Sequence, residues 1–229
     1  MHHRLMRIMV WNMRWMTRHA GFIARPLVRL YGANEIIACG LRDEEGNVSI
    51  IFTPGAGHGG HHVVSLADGS WTNHVSTPMK NFSGNVVRRY DVPNVKNGVI
   101  LRMRGQKENG SQLSSPKITV KPQTIYNQEL LTIRPNDDKS VMFSWKQAEG
   151  YDPMIYFLAV ENNLTGETLS AIYTRETFWR YPAIKTASYS VGPSCPPQLA
   201  NSASYTAKLV LVDYDGWVSH VAEKQFQIR

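Results

Sequence analysis

The feature that most constrains this chain is its punctuation. From Glu35 onward, short apolar or alternating runs are cut off again and again by Gly, Asn, Asp and Pro, and no stretch sustains the apolar period of a helix. Runs this short can bury an apolar face only as strands, where side chains alternate between two sides. Strands are predicted at residues 35–41 and 48–53, joined by the polar turn 42–47, in which Gly46 can take a positive φ. Further strands are predicted at 62–66, 71–76, 85–92, 99–105 and 115–120. That density is the density of an antiparallel β-sandwich, so the fold class expected is all-β.

At 229 residues the chain is long enough for two such sandwiches, each with its own core. The second half carries the sharper signals. Val141-Met142-Phe143-Ser144-Trp145 alternates so that Trp145 points inward with Val141 and Phe143. Strands are predicted at 154–160 and 168–174 on either side of the turn Asn162-Asn163-Leu164-Thr165-Gly166. Leu199 and Tyr205 stand six residues apart ahead of the apolar strand 207–212, and Asp213-Tyr214-Asp215-Gly216 forms a hairpin turn into strand 218–228. This constellation resembles the fibronectin type III domain, an immunoglobulin-like β-sandwich. Val141 to Trp145 stands where that family has its B strand, and Leu199 and Tyr205 stand where it has the leucine and corner tyrosine before strand F. In the first half, Tyr90-Asp91-Val92-Pro93, then Leu101-Arg102-Met103-Arg104, then 109–120 resemble its E-F-G region. There Leu101 replaces the corner tyrosine. The organisation expected is a basic N-terminal segment at 1–32, a sandwich at 33–121 and a fibronectin type III-like sandwich at 122–229. Lys121 to Asn127, with Pro122, is a short junction that restricts how the two can be oriented.

Six of the chain's 25 Lys and Arg, Arg4 to Arg29, precede the first of its 18 Asp and Glu, Glu35, so the remainder holds 19 cations against 18 anions. A body so nearly neutral argues against nucleic acid as a partner, because phosphate binding needs Lys and Arg clustered on one face. Residues 1–32 also hold Met9, Met13 and Met16 with Leu5 at helical spacing, and Arg7, Arg14 and Arg18 on another side. A basic amphipathic helix contacting a membrane surface, an unusual export signal and translated upstream sequence are the three readings of this segment. No apolar run reaches the roughly 20 residues of a transmembrane helix. The run Ile36-Ile37-Ala38-Cys39-Gly40 loosely resembles a bacterial lipoprotein processing site, with a buried thiol in the first strand as the competing reading.

Signatures of catalysis fail on context. Gly55-Ala56-Gly57-His58-Gly59-Gly60 satisfies the dinucleotide pattern GxGxxG, but a β run follows it where a helix N-terminus should receive the pyrophosphate. No GxSxG, HExxH, paired CxxC or phosphate-binding GxxxxGK occurs. No organic cofactor is called for, and the chain is read as a non-enzyme. The alternative is a metal-binding protein or enzyme centred on His58, His61 and His62, since imidazoles on a Gly-rich loop can converge on Zn, Cu or Ni. Asp213 and Asp215 open like a calcium loop but lack the downstream ligands, so they are read as a tight turn. Asn47, Asn81, Asn109 and Asn163 each begin an acceptor sequon, which matters only in a secreted eukaryotic setting.

Trp179, Arg180 and Tyr181, with Tyr214 and Trp217 at the last hairpin turn, are candidate binding residues. They fall on or beside predicted loops and are the residue types that dominate contact hot spots. The competing reading folds Trp179 and Trp217 back onto the core. The function expected is a non-catalytic binding or spacer module with a protein or glycan partner. The family's habits imply an extracytoplasmic location: secreted, periplasmic or cell-surface.

Overall fold

The computed structural model describes residues 36–228 apart from 54–57, 67–70, 73–76, 79–86, 108, 149, 152, 184–186, 188 and 191–194. For 58–66, 71–72, 77–78 and 189 it describes the backbone alone. The basic segment 1–32 and the Asn81 sequon lie outside the described residues.

Nine strands build the first sandwich: β1 (Ile37–Arg42), β2 (Val48–Thr53), β3 (His58–Leu66), β4 (Trp71–Thr72), β5 (Thr77–Pro78), β6 (Arg88–Val92), β7 (Ile100–Lys107), β8 (Gln112–Ser114) and β9 (Ile118–Thr119). One sheet runs β1-β2-β6-β5 and the other β4-β3-β7-β8, with β9 also on β7. The core between them holds Ile36, Ala38, Val48, Ile50, Phe52, Tyr90, Leu101 and Met103. Of the strand expected at 115–120 only β9 (Ile118–Thr119) forms, and β8 ends at Ser114, before that range. Pro116 has no N–H to give to a ladder, and Ser115 turns its hydroxyl onto the Pro116 carbonyl at 2.8 Å.

The second sandwich comprises β10 (Ile125–Tyr126), β11 (Leu131–Pro135), β12 (Val141–Trp145), β13 (Ile155–Asn162), β14 (Thr168–Thr174), β15 (Phe178–Tyr181), β16 (Tyr189–Ser190), β17 (Ser204–Val212) and β18 (Val218–Gln227). A three-stranded sheet, β11-β12-β15, faces a six-stranded one, β10-β18-β17-β13-β14-β16. Every pairing is antiparallel except β10 on β18. In both halves the first, second and fifth main strands form one sheet and the third, fourth, sixth and seventh form the other. That is the strand order of fibronectin type III sandwiches, so both halves have that fold.

The corner predicted from spacing forms. Tyr205 is buried, and its hydroxyl accepts the Ala200 N–H at 2.7 Å, closing the crossing from one sheet to the other. Trp145 packs inward, edge-on to Tyr156 with ring centroids 5.3 Å apart.

Several strands are buried on both faces. Val48, Ile50 and Phe52 of β2 enter the first core, while Ile51 and its neighbours on β1, Ile37, Cys39 and Leu41, face the other way. On β13, Tyr156, Leu158 and Val160 enter the second core, while Ile155, Phe157 and Ala159 face outward. These two outward faces meet. With Val210, Val212 and Tyr173 they form a third apolar cluster between the sandwiches. Apolar burial of this kind contributes about 25 cal/mol per Å² removed from water, so the cluster holds the two sandwiches together. The Thr53 and Tyr173 hydroxyls, 3.0 Å apart, form a hydrogen bond within it.

Candidate functional site

The sequence-predicted aromatics divide by burial. Residues 178–181 form strand β15, paired to β12 with Trp179 opposite Phe143, and not a loop. Alternation then sends Trp179 and Tyr181 inward and leaves Phe178 and Arg180 outside. Trp179 stacks on Phe143 at 5.8 Å, and its indole N–H donates to the Ala183 carbonyl at 3.1 Å. The Tyr181 hydroxyl donates to the Pro197 carbonyl. Arg180 is exposed and engages Asp138 and the Ser140 hydroxyl. Trp217 is fully buried, and Tyr214 is 63% exposed on the last hairpin turn. Thus Trp179, Tyr181 and Trp217 are buried, and only Arg180 and Tyr214 of the five present side chains to solvent. Arg180 lies on β15 of the three-stranded sheet, and Tyr214 on the turn that joins β17 to β18 of the six-stranded one.

His58, His61 and His62 do not lie on a loop. All three belong to the backbone of β3, whose ladder with β7 jumps from His58 opposite Lys107 to His62 opposite Gly105. Four steps on one strand against two on the other make a bulge, and Gly59 and Gly60 give the chain the freedom to form it. The three imidazoles lie outside the described residues. Among the described residues no group of three or more His, Cys, Asp or Glu is arranged to hold a metal.

The most elaborate arrangement lies where the two sandwiches join, and spacing alone did not reveal it. Trp217 immediately precedes β18 of the second sandwich yet belongs to the core of the first, in one cluster with Ile118 and Met103. Its indole N–H donates to the Gln123 carbonyl at 3.0 Å. Gly40 on β1 lets it approach: a Cβ there would lie 2.8 Å from both the indole ring and Ile118. The Gly40 N–H donates to the Gly216 carbonyl at 2.9 Å, and the Thr119 N–H donates to the Asp215 carbonyl at 2.9 Å. Thr124 links three elements, accepting the Arg42 N–H at 3.0 Å and donating to the Val218 carbonyl at 2.8 Å.

Asp213 and Asp215 make the tight turn expected of them. The Asp213 carboxylate accepts the Asp215 and Trp217 N–H groups at 2.9 and 3.0 Å, and Gly216 takes φ +70°. Lys121 from the junction places its ammonium 2.7 Å from both carboxylates. Burial alone would lower the Lys121 pKa, but hydrogen bonds to the two aspartates outweigh it and raise it. The charge that a metal ion would bring to a calcium loop is here supplied by the chain itself.

Cys39 sits in the seam, paired across the sheet with Ile51, and burial, assisted by the Asp213 charge, pushes its thiol up to about 12. Cys195 is exposed.

Beside the seam, the turn after β1 and the strands β10 and β18 enclose an open cleft of about 820 Å³. Asp43, Glu44, Glu45 and Glu223 line it against Arg89 and Lys224. Four carboxylates face two cations there, and Arg89 is paired with Asp43 at 3.1 Å, so the lining carries a surplus of negative charge. Tyr126 offers a half-exposed ring on its wall, its hydroxyl donating to the Arg42 carbonyl.

No family model matches the chain, and no curated protein does either. Solved structures similar to it include a two fibronectin type III domain segment from chicken tenascin, at 12% identity over 79% of this chain and 91% of that one, with a TM-score of 0.34. A cytokine receptor complex is similar at 11% identity over 78% and 90%, TM-score 0.32. Fibronectin(III)-like modules of Clostridium thermocellum CbhA are similar at 9% identity over 80% and 85%, TM-score 0.25. Among the described residues no helix is long and apolar enough to cross a membrane.

Proposed function

We propose that this chain is a non-catalytic, extracytoplasmic binding and spacer module in which two sandwiches act as one rigid body that presents the cleft beside their seam to a protein or glycan partner. The observation that supports this reading best is Trp217, which belongs to one sandwich by sequence and to the core of the other by packing. A joint of that kind fixes the distance and angle between whatever the two ends touch, which is the service a spacer performs. The partner surface is assigned to the cleft wall of Tyr126, Glu44 and Glu45, together with exposed Tyr214. Trp179 and Tyr181 support the fold from behind. Clefts between domains are common ligand sites because two walls can close on one ligand.

Residual dipolar couplings test the rigid-body premise directly. Amides of β2 and β13 are expected to report one common alignment tensor in the wild-type chain and two in Gly40→Leu, where the new side chain collides with Trp217. Two tensors in the wild-type chain would sink the spacer reading. Loss of partner capture from cell-surface extract or a glycan array in Tyr126→Ala, with Arg180→Ala unaffected, would identify the cleft as the contact; the reverse pattern would move the site to β15.

A further inference from the structure

The four sequons are not equivalent once folded. Asn47 is spent: its amide nitrogen donates to Asp43 at 3.2 Å, and the hydroxyl of its partner Ser49 is buried against Asp91 at 2.8 Å. Asn163 is held at both ends, its amide nitrogen donating to Ser204 Oγ at 2.7 Å and its oxygen accepting from Thr206 Oγ1 at 2.6 Å. A sugar would take one hydrogen of a nitrogen already engaged, at Asn47 within the β1–β2 turn and at Asn163 in the link to Ser204. Asn109 differs. It lies with Gly110 and Ser111 at the exposed tip of the β7–β8 hairpin, and none of the three lines the cleft or belongs to the seam cluster. Its side-chain oxygen accepts two hydrogen bonds from within the sequon, from the Ser111 N–H at 3.1 Å and the Ser111 hydroxyl at 2.7 Å. The turn is closed by Lys107 and Gly110, with Gly110 at φ +84°, and does not use the Asn109 amide nitrogen. That nitrogen is the group a glycan would occupy.

We infer that Asn109 is the N-glycan acceptor among these three sequons. The donor class is an oligosaccharide linked through pyrophosphate to a lipid. Nδ2 bonds to the anomeric carbon, the carbon–oxygen bond to pyrophosphate breaks, and the lipid pyrophosphate leaves while the amide gives up one proton. Selection operates through folding: a glycan on Asn47 or Asn163 must share its nitrogen with a native hydrogen bond, whereas one on Asn109 leaves the two bonds to the Asn109 oxygen in place. The biological relevance of this site rests on the extracytoplasmic part of the proposed function, but its test does not.

The full chain, carrying Asn81→Gln to silence the fourth sequon, is expressed behind a cleavable leader in eukaryotic secretory cells. The folded fraction, from medium or lumen, is analysed by intact mass and peptide mapping before and after peptide N-glycosidase. One glycan is expected, mapped to Asn109 and lost in both Asn109→Gln and Ser111→Ala, with the thermal midpoint of each variant showing that it still folds. A glycan on Asn47 or Asn163 of the folded fraction, or none at all, overturns the inference. Occupancy that survives Ser111→Ala would mean that the site is not read as a sequon, and overturns the inference.

Discussion

Replacing Trp217 with Ala should injure the sandwich to which Trp217 does not belong by sequence. The side chain is fully buried among Ile118, Met103 and Gly40. A buried tryptophan withdraws about 150–250 Å² from water, which at about 25 cal/mol per Å² is roughly 4–6 kcal/mol. Measured truncations of large aromatics cost about 3–5 kcal/mol once partial collapse of the cavity is included. The indole hydrogen bond to the Gln123 carbonyl adds about 1 kcal/mol. A loss near 4 kcal/mol is a large share of the roughly 5–15 kcal/mol that stabilises a typical domain. Hydrogen exchange read by mass spectrometry locates the damage: β1, β2 and β9 should lose protection in Trp217→Ala, while β12 and β15 keep theirs. Trp179→Ala is the matched control, since Trp179 is equally buried but packs in the second core, and it should give the opposite pattern. Loss of protection confined to the second sandwich in Trp217→Ala, or a cost below about 1 kcal/mol, would refute the packing argument.

Tyr205→Phe removes the acceptor of the Ala200 N–H and should lower stability by about 1–3 kcal/mol, seen as a reduced urea midpoint at unchanged slope; an unchanged midpoint would mean the corner bond is dispensable. Of the two thiols, Cys195 should react with Ellman's reagent at pH 8 in the native chain and Cys39 only on unfolding, because burial holds the Cys39 thiol protonated; equal native rates would contradict the closed seam. His220 is buried edge-on to Tyr151, its Nδ1 has no hydrogen-bond partner among the described residues, and burial lowers its pKa below 6.5. The unfolded chain therefore takes up a proton before the folded one does, so the contribution of His220 is present above pH 6.5 and is lost as pH falls through the window below it. His220→Gln should flatten that part of the stability–pH curve, and an unaltered slope would acquit the histidine.

Period-two alternation with turn residues located most of the second sandwich, and the six-residue spacing from Leu199 to Tyr205 located its corner. Strand β15 was missed because Phe178 and Trp179 are both aromatic, which hides the alternation that the structure exposes as out, in, out, in. The seam was missed for a related reason. Ile155-Tyr156-Phe157-Leu158-Ala159 and Ser49-Ile50-Ile51-Phe52 are apolar on both faces, a pattern that means a strand covered on two sides, but the sequence does not say by what. The role of Trp217 could not be read at all. Its destination depends on Gly40, far away in sequence, having no side chain, and no local pattern links the two.

That dependence has a consequence for biosynthesis. Domains usually fold in the order they leave the ribosome, at about 5–20 residues per second. Here the upstream sandwich must wait for a residue made almost a hundred positions after its own last strand, a delay on the order of 5–20 s. During that interval its core stands open at Ile118 and its seam face of Ile37, Leu41 and Ile51 has no cover, so the nascent chain is more exposed to aggregation and to chaperones than its simple tandem layout suggests.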